Sequence, residues 1–591
     1  MVIVGIAAEY SMNINRHVQR SNTLESAIAT GDSCLDILFG NWRSICRQPL
    51  NVNLALPTNS FTAIPLPTSS MFPNISNFGA SASDYYGTNL PNPPTISNFK
   101  VVAVDAEWTA TPTQTATPIP MLGQGSTATS TTTTVVYNYV ASADVTLPAV
   151  NGNAVAKVRR VFQKQQLSPW NFAIFYLDPL EIHPGPPFTV TGWVHTNSNL
   201  YTAHSTLTFA EKVTYASDWF INFKPGDQQH NADTPASPHY PGNLPPARDQ
   251  ALQPFGMDST QIFGGPPNPN TADSYRELIE PPNAGYTDPL VASRYWNQAS
   301  VAIKVDASNN VTIGTPNPTN GTITPFLTTN PLYQMFSSAI STNQTIQDNR
   351  EGANIRLVTL DLSKILQVDS NGNLLNPPAY KSSSFNGIVY IYDSSASSSA
   401  RRGVRLTKGS KIPPSGLTVA SQNPVYVQGD FNTGGTPPSN GNPSDPTRPQ
   451  VSGYTRAPTS IFGDAVDILS NSWNDANSFG GTSSRIASNT TVNAAIVSGI
   501  VPTAPVGGDG SYSGGAENFP RFLEDWSSAR LTYYGSMVEL YKSQQSIGEW
   551  GRANVYVPPT RQWYFDTNFR TISPPGGLMI YTYVKGRWYV L

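Results

Sequence analysis

Charge is scarce along this chain: only 12% of its 591 residues are Asp, Glu, Lys or Arg, and 35 basic against 38 acidic residues leave −3 at neutral pH. A protein that neutralises a phosphate backbone carries a basic face, so nucleic acid is not an expected partner. Cysteine is scarcer still, with Cys34 and Cys46 alone, too few for a disulfide framework or a four-ligand zinc site. One unbroken helix through residues 34–46 would part the sulfurs by about 18 Å, whereas a break at Gly40 would let them bridge. A disulfide and two packed thiols both stay open. Also missing is any apolar run approaching the ~20 residues of a bilayer-spanning helix. The opening MVIVGIAAEY offers eight apolar residues with no basic segment before them and no small-residue cleavage site after. They read as the end of an apolar helix that either starts further upstream in the natural gene or packs against something else.

What is plentiful points to strands and turns. The chain has 52 Pro and 44 Gly, with Thr, Ser and Asn crowding most windows; these residues fix φ, permit positive φ or compete for backbone hydrogen bonds. Solubility therefore rests on neutral polar side chains, which suits an exported, surface-exposed protein. A chain of 591 residues exceeds one compact core, so two to four packing units are expected unless a solenoid adds length without a single centre.

The fold class expected is mainly β: an N-terminal helix, then a β-rich head holding a meander, a parallel β-helix section and a few short helices. Residues 1–48 carry helical spacing, because Ile14, Val18, Leu24, Ile28, Leu35, Leu38 and Trp42 recur at three- and four-residue steps or their multiples before Pro49. One helix through at least Leu38 should project from the body, since residues 1–8 have no polar face. Residues 49–182 comprise a Pro-, Asn- and Ser-rich coil to about residue 98, then an antiparallel meander from FKVVAVDAEWTA, TTTTVVYNYVASADVTL, AVAKVRRVFQKQ and FAIFYL. Arg159 and Arg160 are expected there as solvated edge charges.

Residues 183–432 are expected to form the β-helix-like body. Short strands TVTGWVH, NLYTA, TLTF and KVTY, cornered by Asn, Ser or Gly, suit stacked rungs with Val190, Val194, Leu200, Leu207, Phe209 and Val213 inward. A Pro-rich insertion at about 225–300 carries a short helix at DSYRELIE. AIKVDASNNVTIG and KILQVDSNGNLLN read as hairpins, and NGIVYIYDSS and NPVYVQGDFNTGG as strands. Residues 433–591 then supply a linker to about 457 and a helix over SIFGDAVDILSNSWNDA, capped by Ser460 with Ala465, Ile468, Leu469 and Trp473 on one face. A buried strand NAAIVSGIV follows, and from ENFPRFLEDW onward helix and aromatic-rich loop pack back on the body.

Chemistry-bearing residues do not converge on a site. His195 could serve as base or ligand, with His204 nine residues on and His183 twelve before, but Asp178, Glu181, Glu211 and Asp218 scatter around them without pattern. The expectation is a corner at Thr196–Asn199, with Asn197 or Asn199 bonding backbone groups and His195 projecting from the strand end, its loss nearly silent. DSNGN at 369–373 has its glycine one place early for a calcium loop and reads as a type I′ turn. GDFNTGG and GDGSYSGG lack the residues of a phosphate loop or a nucleophile elbow. Asp430, Asp464, Asp467, Asp475, Glu517, Glu524 and Asp525 are numerous enough for glycoside chemistry yet read as helix caps and solvated faces. No catalytic, cofactor or metal-binding residue is assigned.

Six strings, NTLESAIATGDSCLDILFGNWRSICR, LEIHPGPPFTVTGWVHTNSNLY, DNREGANIRLVTLDLSK, NPVYVQGDFNT, ILSNSWNDA and YSGGAENFPRFLEDW, together resemble the large PilX-like proteins associated with type IV pili in Verrucomicrobia, Planctomycetes and Acidobacteria. The resemblance implies a helix that starts in the inner membrane, continues as a stalk and carries an exported β-rich head, with pilus or envelope proteins as partners of the helix. It transfers no catalytic residue. The expected function is a non-enzymatic envelope or surface structural protein, minor-pilin-like or accessory to a type IV pilus or secretion apparatus. The rival is a secreted β-helix carbohydrate-active enzyme or a glycan-binding adhesin, with some of the 11 Trp and 27 Tyr as stacking platforms and three carboxylates in one groove as the enzyme's mark.

Overall fold

The computed structural model describes residues 2–47, 95–103, 135–149, 152–227, 233–254, 275–282, 293–366, 385–413, 415–433, 456–503, 514–550 and 555–591. The coil expected at 49–98 lies almost wholly outside these, as do DSNGN, most of GDGSYSGG, most of the 433–457 linker and parts of the Pro-rich insertion.

Helix α1 spans Val2–Cys46 and runs unbroken through Gly40. Both cysteines are free and buried, which removes the disulfide alternative, and burial pushes each thiol up to about 12. Residues 9–25 are almost entirely exposed, and only from Ala27 does one face go under. That face packs on an antiparallel sheet built from β1 (Thr95–Ala103), β2 (Val135–Ala149) and β3 (Gly152–Leu167). Strand β3 alternates buried and open positions in its first half, as a half-covered strand should. Gly31 lets the helix approach, because a Cβ there would stand 2.5 Å from Val158 Cγ2. Trp42 is fully enclosed, with its ring centroid 5.0 Å from Tyr139 and 5.3 Å from Phe162.

After β3 the chain shortens its stride. It makes β4 (Ile174–Tyr176), β5 (Leu180–Ile182), β6 (Phe188–Val190), β7 (Val194–Thr196), β8 (Leu200–Thr202), β9 (Leu207–Phe209), β10 (Val213–Tyr215), β11 (Trp219–Phe220), β12 (Ala247–Arg248) and β13 (Gln253–Pro254). Strand β7 opens 20 residues after β4, and β10 opens 19 after β7. Each such strand pairs in parallel with its counterpart: β4 with β7, β7 with β10, β5 with β8, β8 with β11, and β6 with β9. All six residues expected to face inward are buried. FAIFYL, expected in the meander, instead opens this parallel ladder as β4.

The longer half follows as β14 (Val301–Val305), β15 (Val311–Pro316), β16 (Ile323–Pro325), β17 (Ile340–Asp348), β18 (Ala353–Asp361), β19 (Ile388–Asp393), β20 (Arg402–Thr407), β21 (Leu417–Ala420), β22 (Val425–Gln428), β23 (Thr459–Gly463), β24 (Val466–Leu469), β25 (Thr490–Ile500), β26 (Pro520–Phe522), β27 (Arg530–Lys542), β28 (Thr560–Phe565) and β29 (Ile580–Val590). A second parallel ladder runs β18-β20-β22-β24-β26. The main ladder stacks in space as β14-β19-β21-β23-β25-β27-β4-β7-β10-β12, parallel at every step. Its spatial order is therefore a circular permutation of chain order: the chain enters in the middle at β4, leaves at one end, restarts at the other and closes on itself where β27 meets β4. Strand β29 then returns to pair with β3 and β13, so the C-terminal strand completes the sheet beneath α1.

Several local expectations change. SIFGDAVDILSNSWNDA is not a helix but β23, a corner at Gly463–Ala465, and β24, every residue of both strands being buried. A strand covered on both faces shows a continuous apolar run, which periodicity does not separate from a buried helix. The short helix expected at DSYRELIE is present as a 3-10 turn at Tyr275–Ile279, but its five residues are buried and not part of a surface loop region. Lys364–Leu366 lie in a short helix, Leu362–Leu366, and the rest of the hairpin expected over KILQVDSNGNLLN lies outside the described residues, whereas AIKVDASNNVTIG is the β14-β15 hairpin, its Asp306 Oδ1 accepting from Ser308 N at 2.8 Å and Asn310 N at 2.9 Å. The C-terminal stretch is mostly strand, because its aromatic residues extend the ladder and the helix-bearing sheet.

Trp42→Ala should lower stability by about 3–5 kcal/mol, the usual loss for a fully buried large aromatic. The check is a urea midpoint; an unchanged midpoint would mean the helix is not seated on the sheet.

Candidate functional site

Two regions collect chemistry. At the helix–sheet junction, Arg160 reaches Asp32 and Asp36 on α1, both at 3.4 Å, and Lys585 on β29 reaches Asp36 at 2.6 Å. Arg159 pairs with Asp144 at 2.6 Å. Neither arginine is a solvated edge charge as expected, because β3 lies between β2 and β29 and has no free edge. The last turn of α1 overhangs a cleft of ≈ 170 Å³ lined by Arg43, Arg47, Gln253, Tyr581 and Tyr583.

The second region is the parallel ladder around β7. His195 does not project: it is fully buried, with its ring stacked 5.7 Å from Phe175, its register partner on β4. Nε2 meets Asn197 Oδ1 at 2.9 Å and Nδ1 meets Thr214 Oγ1 at 2.8 Å. Asn197 Oδ1 also accepts from Leu252 N while Nδ2 donates to Leu252 O, both at 2.7 Å. Its amide is thereby oriented, so the imidazole proton sits on Nε2, and Nδ1 faces the Thr214 hydroxyl, which also reaches Val194 O at 3.1 Å. Burial drives the His195 pKa down to about 4. A neutral ring with both nitrogens engaged and no carboxylate among its hydrogen-bond partners is a packing element. The Thr196–Asn199 corner is as expected, with Asn199 Oδ1 accepting from Asp218 N at 3.1 Å. His204 turns its Nδ1 to Thr206 Oγ1 at 2.7 Å.

Asp464, Asp467, Glu517 and Glu524 are buried and are not the helix caps or solvated faces that the sequence suggested, whereas Asp430, Asp475 and Asp525 stay partly open. Asp464 is fully buried and accepts from Gln544 N, Gln545 N and Ser546 N at 2.6–2.9 Å while pairing with Arg276 at 2.9 Å. Glu524 takes Ser470 N and Oγ, both at 2.6 Å, and burial raises its pKa to about 7. Asp430 accepts from Thr491 N at 2.8 Å, Asp475 pairs with Arg405 at 2.6 Å, and Asp525 accepts from Ser527 N at 2.9 Å. Glu211 holds Arg570 at 2.7 Å, and Asp218 faces Arg248 at 3.7 Å. Three carboxylates do gather, Asp348, Glu351 and Asp467, and burial followed by Asp348's charge lifts Asp467 well above the ordinary carboxylate range. They are enclosed by Arg350 and Arg521, the latter bound to Glu351 at 2.9 Å, and Tyr426 donates to Asp348 at 2.8 Å. An oligosaccharide has no access to that group.

One grouping was not legible in the sequence. Glu181, His183 and Asp227, the last more than forty residues along the chain, bring a carboxylate oxygen, a ring nitrogen and a second carboxylate oxygen within 4.8 Å of one another, all three residues buried. Strand β5 holds Glu181 and ends one residue before His183, and the turn at Lys224–Asp227, which needs Gly226 at φ 95°, returns the third. Comparison of the chain with protein-family models, with curated proteins and with solved structures finds no match.

Replacing His195 with Ala should cost about 2–4 kcal/mol, since it removes a buried ring and leaves Asn197 and Thr214 without it. Its pH signature follows from the lowered pKa: below 6.5 the unfolded chain binds the proton first, so the contribution is whole above pH 6.5 and is lost as pH falls to about 4. The loss amounts to roughly 3 kcal/mol. The difference between wild-type and His195→Gln stability across that window should carry this slope; parallel curves would contradict it.

Proposed function

We propose that this chain is a non-enzymatic structural protein of the cell envelope or surface, a minor-pilin-like component or accessory of a type IV pilus or secretion apparatus. The observation that carries the reading is the division of α1. Its second half is seated on an antiparallel sheet, while Tyr10, Met12, Ile14, Val18 and Leu24 in the first half stand exposed, Tyr10 at 69%. Apolar side chains repeated along one projecting helix are stable in a watery compartment when other helices or an interface cover them. In this reading the protein is exported, its leading residues meet the inner membrane, and neighbouring envelope or pilus subunits cover residues 9–25. No described helix is by itself long and apolar enough to cross a membrane. The parallel ladders are taken as turns of a β-helix, with about 20 residues per turn in the β4–β11 run, forming a rigid displayed head; surface glycans are a ligand class such a head could meet.

The carbohydrate-active enzyme reading has less support, because the three carboxylates that do gather, Asp348, Glu351 and Asp467, are enclosed with Arg350 and Arg521. Ile14→Lys combined with Val18→Lys tests the assembly role, since both positions are exposed and the head should keep its fold. The doubly substituted chain should fail to cofractionate with envelope or pilus material, and cells lacking the protein should lose pilus assembly or surface attachment. Unchanged pili and attachment in the deletion strain would count against the proposal.

A further inference from the structure

The main ladder has a seam, and the buried Glu181, His183 and Asp227 lie beside it. All three belong to the rungs that follow β4. The groups against them come from the other half of the chain: Thr503 donates to Glu181 Oε1, and Glu517 Oε2 accepts from His183 N at 3.3 Å. Glu517 is a third buried carboxylate in the same corner, and Gly515 leaves it room, because a Cβ there would stand 2.8 Å from Glu517 Oε2 and 3.0 Å from Glu181 O. We propose that Glu181, His183 and Asp227 form a divalent-cation site, zinc foremost, that ties the end of β5 to the turn at Lys224–Asp227 beside the seam.

The donor set is one borderline nitrogen and two hard oxygens, which suits zinc or manganese better than calcium. Zinc holds such atoms at about 2.0–2.2 Å, so its ligands stand roughly 3–4 Å apart. A spread of at most 4.8 Å closes by small rotations of the two carboxylates. Two carboxylates facing each other in a buried site repel unless a cation or a shared proton lies between them, and the buried carboxylate of Glu517 adds to that field. Glu517, reached from the opposite half through His183 N, acts as an outer partner that orients the imidazole-bearing segment. The role is structural, since metal bound to the folded state raises its stability.

The test uses the full chain stripped with EDTA and dialysed against zinc, manganese or calcium in separate arms, followed by elemental analysis after gel filtration and by thermal unfolding. About one zinc per chain should be retained, with a melting temperature at least ~3 °C above the stripped protein. His183→Gln and Asp227→Asn, if folded by circular dichroism, should each weaken retention at least tenfold. Should either variant fail to fold, the stripped-versus-reloaded comparison of the wild type still decides. Absence of retained metal, retention unaffected in the folded variants, or calcium retained equally by His183→Gln would overturn the proposal, and a melting temperature that follows pH but not metal would mark a protonated His183 between two carboxylates instead.

Discussion

Every buried strand must place its amides and carbonyls on a neighbour, and the demand is sharpest at β27. One side of this 13-residue strand is satisfied along its length by β25, while the other is shared, its first half by β28 and its second by β4. Met537 N donates to Ala173 O at 2.9 Å, Ser536 Oγ to Phe172 O at 2.6 Å, and the buried Glu539 takes Leu177 N and Asp178 N at 2.9 and 3.0 Å. Without β4 that half of β27 would be an open edge. The rungs from β4 to β12 would likewise lose their inner neighbour. This one pairing makes a single ladder out of segments more than 350 residues apart, and it fixes the point at which β3, ending seven residues before β4, joins the ladder.

Charge follows the same logic. With few ionic groups to spend, the chain places many of them inside the corners, where carboxylates cap several amides at once. Asp464 collects three successive backbone donors after β27, and Asp393 accepts from Ser395 N at 2.9 Å while pairing with Arg356. Such groups are costly to bury unless fully bonded, so they specify which turn stacks on which.

Much of this was legible in the residues. The helical spacing of Leu35, Leu38 and Trp42 marked the seated face of α1, and the short strands around Val190–Val213 gave the inward positions, because a half-open strand leaves a readable alternation. The ladder from β21 to β25 was harder to read, since full burial erases that alternation and Ile468, Leu469 and Trp473 mimic a helix face. The ~20-residue spacing of β4, β7 and β10 leaves no repeat motif in the residues, for Phe175, His195 and Thr214 share a register position without sharing a chemistry. The circular permutation and the Glu181–His183–Asp227 grouping were out of reach, because both arise from contacts between distant segments that no local pattern encodes.

Native-state hydrogen exchange at the seam tests the account most directly. If β27 and β4 form one ladder, the amides of Met537 and Val194 should share a single large opening free energy with those of β25, and all three should fall together as denaturant rises. Exchange of the β4–β12 rungs at a distinctly lower opening energy, with β14–β27 still protected, would show two independent halves and contradict the closed ladder.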